Sequence, residues 1–281
     1  MNNFLKIAEN IFYKIKLLFY INKLKIEDTG KDEKGIYVKL KNGKYFYGIP
    51  TRQKLRKYYS LLSPKNKKVI SFNSFQTVYD IIIRYYKRGL KLGGPEKEMF
   101  YKLKEGDIVA EMGAYMGYYT LYLSEKVGNR GKIVAIEPLP DNLEYLRNNI
   151  IKNNIENVSI VPKGVWKEKD KLTFFQDKDD HQSASLILDK KNKTDIDVDS
   201  LDNILKDSDI DNVDFMIIQL NGVEYEALLG LTKIKPKSIS IAARYDSDKI
   251  KASEKIKELL EQRNYDVKIV KKDYIFASLK E

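Results

Sequence analysis

The sequence predicts an α/β fold, a mostly parallel sheet covered by helices, preceded by a basic N-terminal α+β extension. Three observations predict it. Between Gly106 and Asn149 an apolar strand, a glycine turn, a helix, a second apolar strand and a second helix follow one another. Further strand and helix patterns continue this alternation through Val213–Gln219 and Ser238–Ala242. The chain then closes on two strand-like runs, Asp266–Val270 and Tyr274–Leu279, joined by Lys271–Asp273. Such a hairpin places one antiparallel strand on an otherwise parallel sheet.

Composition limits the function classes. A chain of 281 residues that is 43% hydrophobic can bury a substantial core as one domain or one plus an appendage. The expected division is residues 1–94, a basic extension, and 95–281, the α/β domain. No apolar run approaches the ~18 residues that would span a bilayer, so a soluble or peripheral, cytoplasmic protein is expected. There is no cysteine, and His181 is the single histidine. Thiolate metal sites and Cys/His nucleophilic catalysis are excluded, and no metal is expected. The net charge of +11 is uneven: residues 1–105 hold 24 Lys/Arg against nine Asp/Glu, the remainder 27 against 31. Of 51 basic residues 43 are Lys, which lacks the planar fork that reads bases. A general attraction to anionic surfaces is favoured over sequence-specific nucleic-acid reading. Codon bias or thermophily would also raise Lys, but neither explains the regional asymmetry.

In order along the chain, residues 3–26 place apolar side chains at helical spacing with lysines between them, which interrupt any signal-peptide core. The expected amphipathic helix either lies on an anionic membrane or packs its apolar stripe on protein. Ile36–Ile49 alternates as a hairpin turning at Asn42-Gly43. Thr51–Lys68 reads as loop with one helical turn, and Ser74–Arg88 as a helix through Phe75, Val78, Ile82 and Tyr85. Gly89–Gly94 is a loop, and Pro95 opens a helix to Lys104. Ile108–Met112 is too apolar for a one-sided strand and suits the middle of a parallel sheet. Lys132–Glu137 is the next strand, Pro140–Asn153 a helix, and Asn157–Val161 a third strand. Lys171–Phe175 is a short strand, and Gln176–Thr194 a polar loop with a small Ser183–Leu188 segment. Ser200 caps a helix through Leu205. The helices Val223–Leu229 and Asp248–Arg263 complete the pattern.

Ligands of open α/β sheets bind outside the carboxyl ends of the strands. Here Gly113-Ala-Tyr-Met-Gly117 lacks the spacing of dinucleotide folds and of P-loops, so no pyrophosphate cradle is evident. Glu111 before the turn and Glu137 at the next strand's tip remain. A carboxylate at the second strand's tip can accept the ribose hydroxyls of a nucleoside. An acid at the turn suits the cationic amino-acid part of S-adenosylmethionine (SAM) better than a pyrophosphate.

The runs GDIVAEMGAYMGYYTLYL, GKIVAIEPLPDNLEYLRNNI, NVSIVPKGVWKEKDKLTFF, SLDNIL and VDFMIIQLNGVEYEALLG together resemble the FkbM-type class I SAM-dependent methyltransferases over about Gly106–Gly230. The resemblance implies a Rossmann-like, mostly parallel seven-stranded sheet with the last strand antiparallel, and SAM as cofactor. It places Glu111, Gly113, Ala114, Tyr115, Gly117 and Thr120 around the methionine part, Glu137 at the ribose with Pro138 shaping the turn, and Lys163, Gly164 and Val165 near the adenine. Where such enzymes read IKIDVEG, this chain reads Met216-Ile217-Ile218-Gln219-Leu220-Asn221-Gly222, so a lysine and two acids become Ile217, Gln219 and Asn221. An acid usual in strand five is replaced within Ile241-Ala242-Ala243. An amide is a poor base, which leaves Glu224 and His181 as candidate bases beside Gln219 and Asn221.

The expected function is SAM-dependent O-methylation of a hydroxyl on a sugar, glycolipid or other polar small molecule. Tyr45, Tyr47, Tyr58, Tyr59, Tyr85 and Tyr86 are candidates to stack on sugar faces or to pack in the extension. A catalytically altered binding or scaffold protein is the alternative, and RNA methylation a second. The partners expected are a small-molecule or glycan acceptor and, through the N-terminal helix, an anionic membrane surface, with nucleic acid less favoured.

Overall fold

The computed structural model describes residues 15, 17–86, 96–177, 180–185, 192–243, 252–271 and 273–281. They divide into two compact units. The described residues up to Glu96 with Ile151–Asn154 form the first, and Lys97–Ile150 with Ile155–Glu281 the second.

In the first unit, the amphipathic helix expected over residues 3–26 is seen at 15 and as α1 (residues 17–23), its earlier part lying outside the described residues. Leu17, Ile21 and Leu24 are buried, at the spacing that puts an apolar stripe on one helix face. Next comes an antiparallel sheet, β1 (Ile26–Asp32), β2 (Gly35–Leu40) and β3 (Tyr45–Gly48), in that spatial order. The Asn42-Gly43 turn forms as expected, Gly43 taking φ +87° and donating to the Leu40 carbonyl at 2.9 Å. The sequence reading missed β1, because IEDTGKD has no apolar alternation; its pairing with β2 from Asp32↔Gly35 to Ile26↔Leu40 makes it a strand. Thr51–Lys68, expected as loop with one helical turn, holds more helix than that: a 3₁₀ turn (Gln53–Leu55), α2 (Arg56–Tyr59) and, running on to Val69, α3 (Pro64–Val69). The start of α3 carries its signals, since Ser63 Oγ accepts the Asn66 N–H at 3.2 Å and Pro64 occupies the first turn. α4 (Phe75–Asp80) buries Phe75 and Val78 and continues as a π-helix, Ile81–Tyr86, in place of a uniform α-helix. Among the candidate stacking tyrosines, Tyr47 is buried with its hydroxyl on Asp32 at 2.8 Å. Tyr59 donates to the Ile70 carbonyl and meets Phe72 and Phe75 edge-on. Both are packing residues.

The loop Gly89–Gly94 and Pro95 lie outside the described residues. From Glu96 to Lys104 the chain is turn and bend rather than the expected helix. Tertiary contacts outweigh its weak helical pattern. Glu98 accepts the hydroxyls of Tyr119 (2.9 Å) and Tyr122 (3.1 Å), Tyr101 stacks on Phe215 and donates to Asp107, and Phe100 meets Phe276 edge-on.

The second unit runs β4 (Ile108–Met112), α5 (Tyr118–Val127), β5 (Lys132–Ile136), α6 (Pro140–Lys152), β6 (Val158–Val161), β7 (Gly164–Val165), β8 (Asp170–Asp177), β9 (Asp180–Ser185), β10 (Asn192–Asp199), α7 (Leu201–Asp207), β11 (Phe215–Ile218), α8 (Glu224–Leu229), β12 (Ser238–Ala242), α9 (Ala252–Gln262), β13 (Tyr265–Val270) and β14 (Tyr274–Leu279). The main sheet has seven strands in the order β13-β14-β12-β11-β4-β5-β6. Its strands are parallel except β14, which lies antiparallel between β13 and β12. One face of β4, β5, β11 and β12, through Met112, Ile136, Ile218 and Ile241, packs with residues of α7, α8 and α9 into one continuous core. At the centre, β4 is followed by a connection to β5 and flanked on its other side by β11. The carboxyl ends of β4 and β11 therefore open a crevice where the strand order reverses.

A second sheet, β7-β10-β8-β9, departs from the polar loop expected over Gln176–Thr194, whose described residues contribute to two antiparallel pairings, the Ser183–Leu188 segment lying beyond Ser185 outside the described residues. β10 buries Ile196 and Val198 and exposes Asp195 and Asp197. This is a period-2 pattern that the run of aspartates obscures. Phe174, Ile196, Val198 and Leu139 form its small core, with Trp166 and Leu172 against it.

Asp202, in the first turn of α7, binds the loop after α8. It accepts from the Thr232 N–H (2.7 Å), the Thr232 hydroxyl (2.8 Å), the Lys233 N–H (2.9 Å) and the Ile234 N–H (3.1 Å). Burial pushes this carboxyl up, but the donors outweigh burial and hold it below the ordinary carboxylate range. Asp199 and Asp214 are lowered against burial in the same way, Asp199 mainly by Asn203, Lys163 and the Ser200 N–H, Asp214 by the Ile108 N–H and Lys237. A carboxylate with a depressed native pKa adds stability above its unfolded pKa of about 3.9, and loses it as pH falls through the native value. The unfolding temperature is thus expected to hold from pH 7 to about 5 and to drop below about 4. Asp202→Ala should cost about 3 kcal/mol in urea at pH 7 and make the acid limb shallower. An unchanged acid limb in that variant would remove Asp202 from this account.

Candidate cofactor and acceptor site

The crevice is built from four chain segments at strand ends: the turn after β4, the step from β5 into α6, and the loops after β6 and β11. The turn is left-handed at three alternate positions, with φ +80° at Gly113, +56° at Tyr115 and +78° at Gly117. Gly113 and Ala114 both donate to the Ile136 carbonyl at 3.0 Å, so the turn folds back onto the end of β5. A Cβ at Gly113 would collide with the Gln219 carbonyl oxygen, and one at Gly117 with Leu146 Cδ1 of α6. Packing against a fixed carbonyl therefore demands glycine at 113, whereas at 117 the left-handed backbone favours it.

Glu137 is buried and ties these segments together. Its Oε2 accepts the Tyr115 N–H at 2.8 Å; its Oε1 accepts the Leu139 N–H at 3.1 Å and Asn142 Nδ2 at 3.0 Å. Asn149, one helical face further along α6, donates to the Met116 carbonyl at 2.7 Å. The sequence reading missed Asn142 and Asn149. Their spacing of seven, on the face that also buries Leu143, Leu146 and Ile150, was the available signal. Glu111, buried in β4, accepts the Thr120 hydroxyl of α5 at 2.6 Å, and both side chains are almost fully buried.

Beside the β5 end lies a recess lined by Ile136, Pro138, Lys163, Gly164, Val165, Phe174, Leu220 and Val223. Its walls are mainly apolar, and it brings together Pro138 with Lys163, Gly164 and Val165. The Lys163 ammonium is held by Asp199 at 3.1 Å, with Asp207 at 3.7 Å. Phe174, Leu220 and Val223 were not foreseen there.

The loop Gln219–Gly222 follows β11. Asn221 and Gly222 have positive φ, +60° and +113°, and the Gln219 N–H donates to the Met112 carbonyl at 3.1 Å. Gln219 and Asn221 are half-buried. Glu224 is buried, with Oε1 accepting the Leu220 N–H at 3.0 Å and Oε2 the Gly222 N–H at 2.9 Å. Burial raises its carboxyl above the ordinary range, although the N–H groups of Glu224, Leu220, Gly222 and Asn221 oppose this. Its oxygens fix the shape of the loop. His181 lies in β9, described here by its backbone alone. Among the described residues no group of three or more His, Cys, Asp or Glu comes together to hold a metal.

A family model described as the methyltransferase FkbM domain matches residues 111–267. Among curated proteins, the chain is 36% identical over 59 residues to protein-L-isoaspartate O-methyltransferase 1 of Archaeoglobus fulgidus, covering 21% of this chain and 27% of that protein. It is 32% identical over 60 residues to the protein-L-isoaspartate O-methyltransferase of Methanococcoides burtonii, covering 21% and 30%. The chain thus spans less than a third of the length of these relatives. Among solved structures, methyltransferase FkbM from Methylobacillus flagellatus KT aligns with a TM-score of 0.48 and 17% identity, over 73% of this chain and 54% of that one.

The two glycines differ in what a methyl group would meet: a fixed backbone carbonyl at Gly113, the movable end of a leucine at Gly117. Gly117→Ala is expected to cost about 1–2 kcal/mol, chiefly from its left-handed backbone, and Gly113→Ala at least about 3 kcal/mol from backbone strain and overpacking combined. Urea unfolding of both variants measures the order. Equal costs would mean that the turn can move away from Gln219.

Proposed function

Because the chain belongs to the FkbM methyltransferase family, we propose that it is a SAM-dependent methyltransferase acting on a hydroxyl of a sugar, glycolipid or other polar small molecule. The observation that carries the cofactor part is the juxtaposition of an acid and an apolar recess at one strand end. Glu137 closes β5, while Ile136 and Pro138 on either side of it line the recess with Gly164, Val165, Leu220 and Val223. A flat, weakly polar adenine suits those walls, and a carboxylate next to them suits ribose hydroxyls, since an ionised carboxylate has about four acceptor sites. The Gly113–Gly117 turn, with Glu111 and Thr120 beneath it, would hold the amino-acid part. When bound, SAM supplies a methyl group on a positively charged sulfur, open to in-line attack by an acceptor oxygen.

The chain's own contribution is then positioning. Gln219 and Asn221 each offer a donor and an acceptor, which can orient a hydroxyl-bearing acceptor but cannot take its proton at neutral pH. The carboxylate of Glu224 is turned onto the backbone of Leu220 and Gly222, so in this reading the acceptor proton leaves to water. That same feature favours a second reading, a binding or scaffold protein that holds the cofactor without transferring the methyl group.

Calorimetry with SAM and with its demethylated product tests the first step. Binding is expected, weakened at least about 30-fold by Glu137→Ala through loss of a charged hydrogen-bonding partner. Val165→Trp, which fills the recess, should weaken it comparably, and Gln219→Asn should leave it unchanged. No heat at millimolar SAM would overturn the cofactor assignment. Labelled methyl transfer to a panel of glycans and glycolipids separates the two readings. Tight binding without transfer, restored by Gln219→Asp with Asn221→Glu, would decide for the scaffold.

A further inference from the structure

We propose that the first unit carries a docking surface for an anionic lipid bilayer, formed by the exposed face of α1 with α2, α3 and Leu61 between them. It stands independently of the cofactor and of methyl transfer. The first observation is a segregation of charge. Residues 10–26 and 51–79 contain no Asp or Glu, and the second stretch holds seven Lys/Arg, whereas Glu27–Glu33 alone contains four acids.

The fold then brings the two acid-free stretches together. Asn66 of α3 donates from Nδ2 to Asn22 Oδ1 of α1 at 3.0 Å, and Lys67 Nζ reaches the Ser60 carbonyl at the end of α2 at 3.1 Å. On α1, Asn22 shares a helical stripe with Ile15, Phe19 and Lys23. Ile15 is 60% exposed and Phe19 51%, while Leu17, Ile21 and Leu24 on the other side are buried. The helix is therefore already packed through one face, and the outward apolar residues are surplus to that packing. Leu61, in the link from α2 to α3, is exposed at 39%, and Lys23 of α1, Lys57 of α2, and Lys65 and Lys68 of α3 are exposed as well.

The side chains are arranged as an interface residue set rather than a phosphate-reading one. Lys23 Nζ lies 4.5 Å from the Phe19 ring centroid, and Lys57 Nζ 5.1 Å from that of Tyr58. Each pairs an apolar ring with a compact cation, which suits the level where acyl chains meet headgroups. Lysines act there as point charges toward anionic headgroups without needing bidentate geometry. Exposed Ile15, Phe19 and Leu61 gain nothing from a nucleic-acid backbone but bury apolar area in lipid. Among the described residues no helix is long and apolar enough to cross a membrane, so the surface would lie on the bilayer.

Flotation of the full chain with vesicles of phosphatidylcholine containing about a third phosphatidylserine, at about 0.15 M salt, tests this. Binding is expected, and at least about tenfold less to phosphatidylcholine alone. Lys65→Glu with Lys68→Glu should lower it about tenfold, and Phe19→Ser with Leu61→Ser by a similar factor at unchanged charge. Circular dichroism melting should show all variants folded. Three results would overturn the proposal: no binding to anionic vesicles, binding insensitive to Phe19→Ser with Leu61→Ser, or capture by a single-stranded RNA oligonucleotide at the same salt while vesicles are ignored.

Discussion

A carboxylate buried among backbone N–H groups holds the crevice of this protein in shape. Glu137 accepts from Tyr115, from Leu139 and from Asn142, and so joins the turn after β4, the step out of β5 and the first turn of α6. The turn needs such an acceptor, because its alternating left-handed residues direct N–H groups away from the strand ladder. A buried donor without an acceptor costs about 1–3 kcal/mol. The same logic recurs at Glu224, which holds the loop after β11, and at Asp202, which holds the loop after α8. Three acids from three separate segments each tie an irregular connection by its N–H groups, two of them, Glu137 and Glu224, at the crevice itself.

The parallel strands were legible because burial on both faces leaves runs such as Ile108–Met112 nearly continuous in apolar residues. The closing hairpin was legible from two such runs and a short link. What escaped was structure made by partners far along the chain. The segment Glu96–Lys104 looks helical in isolation, yet Glu98, Phe100 and Tyr101 are each claimed by a different element of the α/β unit. β1 has no pattern of its own and exists through its pairing with β2. Asp195 and Asp197 of β10 sit on its wet face and disguise a half-buried strand.

The site was legible to a similar depth. The family resemblance singled out Pro138 and Lys163–Val165, and the structure gathers them into one recess. Spacing could not show what each side chain touches. The ammonium of Lys163 goes to Asp199, the carboxylate of Glu224 to the backbone, and the space beside Gly113 and Gly117 to Gln219 and Leu146. The charge asymmetry of the sequence also acquires a local meaning in the first unit. Its acids gather in the sheet, where Glu27 meets Lys39, Asp28 meets Tyr37 and Asp32 meets Tyr47. Its helices α2 and α3 keep lysine without acid.

At Gly113 the turn leans on the main-chain oxygen of residue 219, and Glu224 grips the main chain of residues 220 and 222. None of these contacts consults the side chain at 219 or 221. The main-chain cradle is thus set apart from the side chain at 219. At 219 an amide and an acid can exchange without touching these main-chain contacts, whereas the left-handed backbone at 221, φ +60°, favours asparagine. A lineage built on this loop can lose, retune or regain reactivity by single substitutions without first passing through an unfolded ancestor.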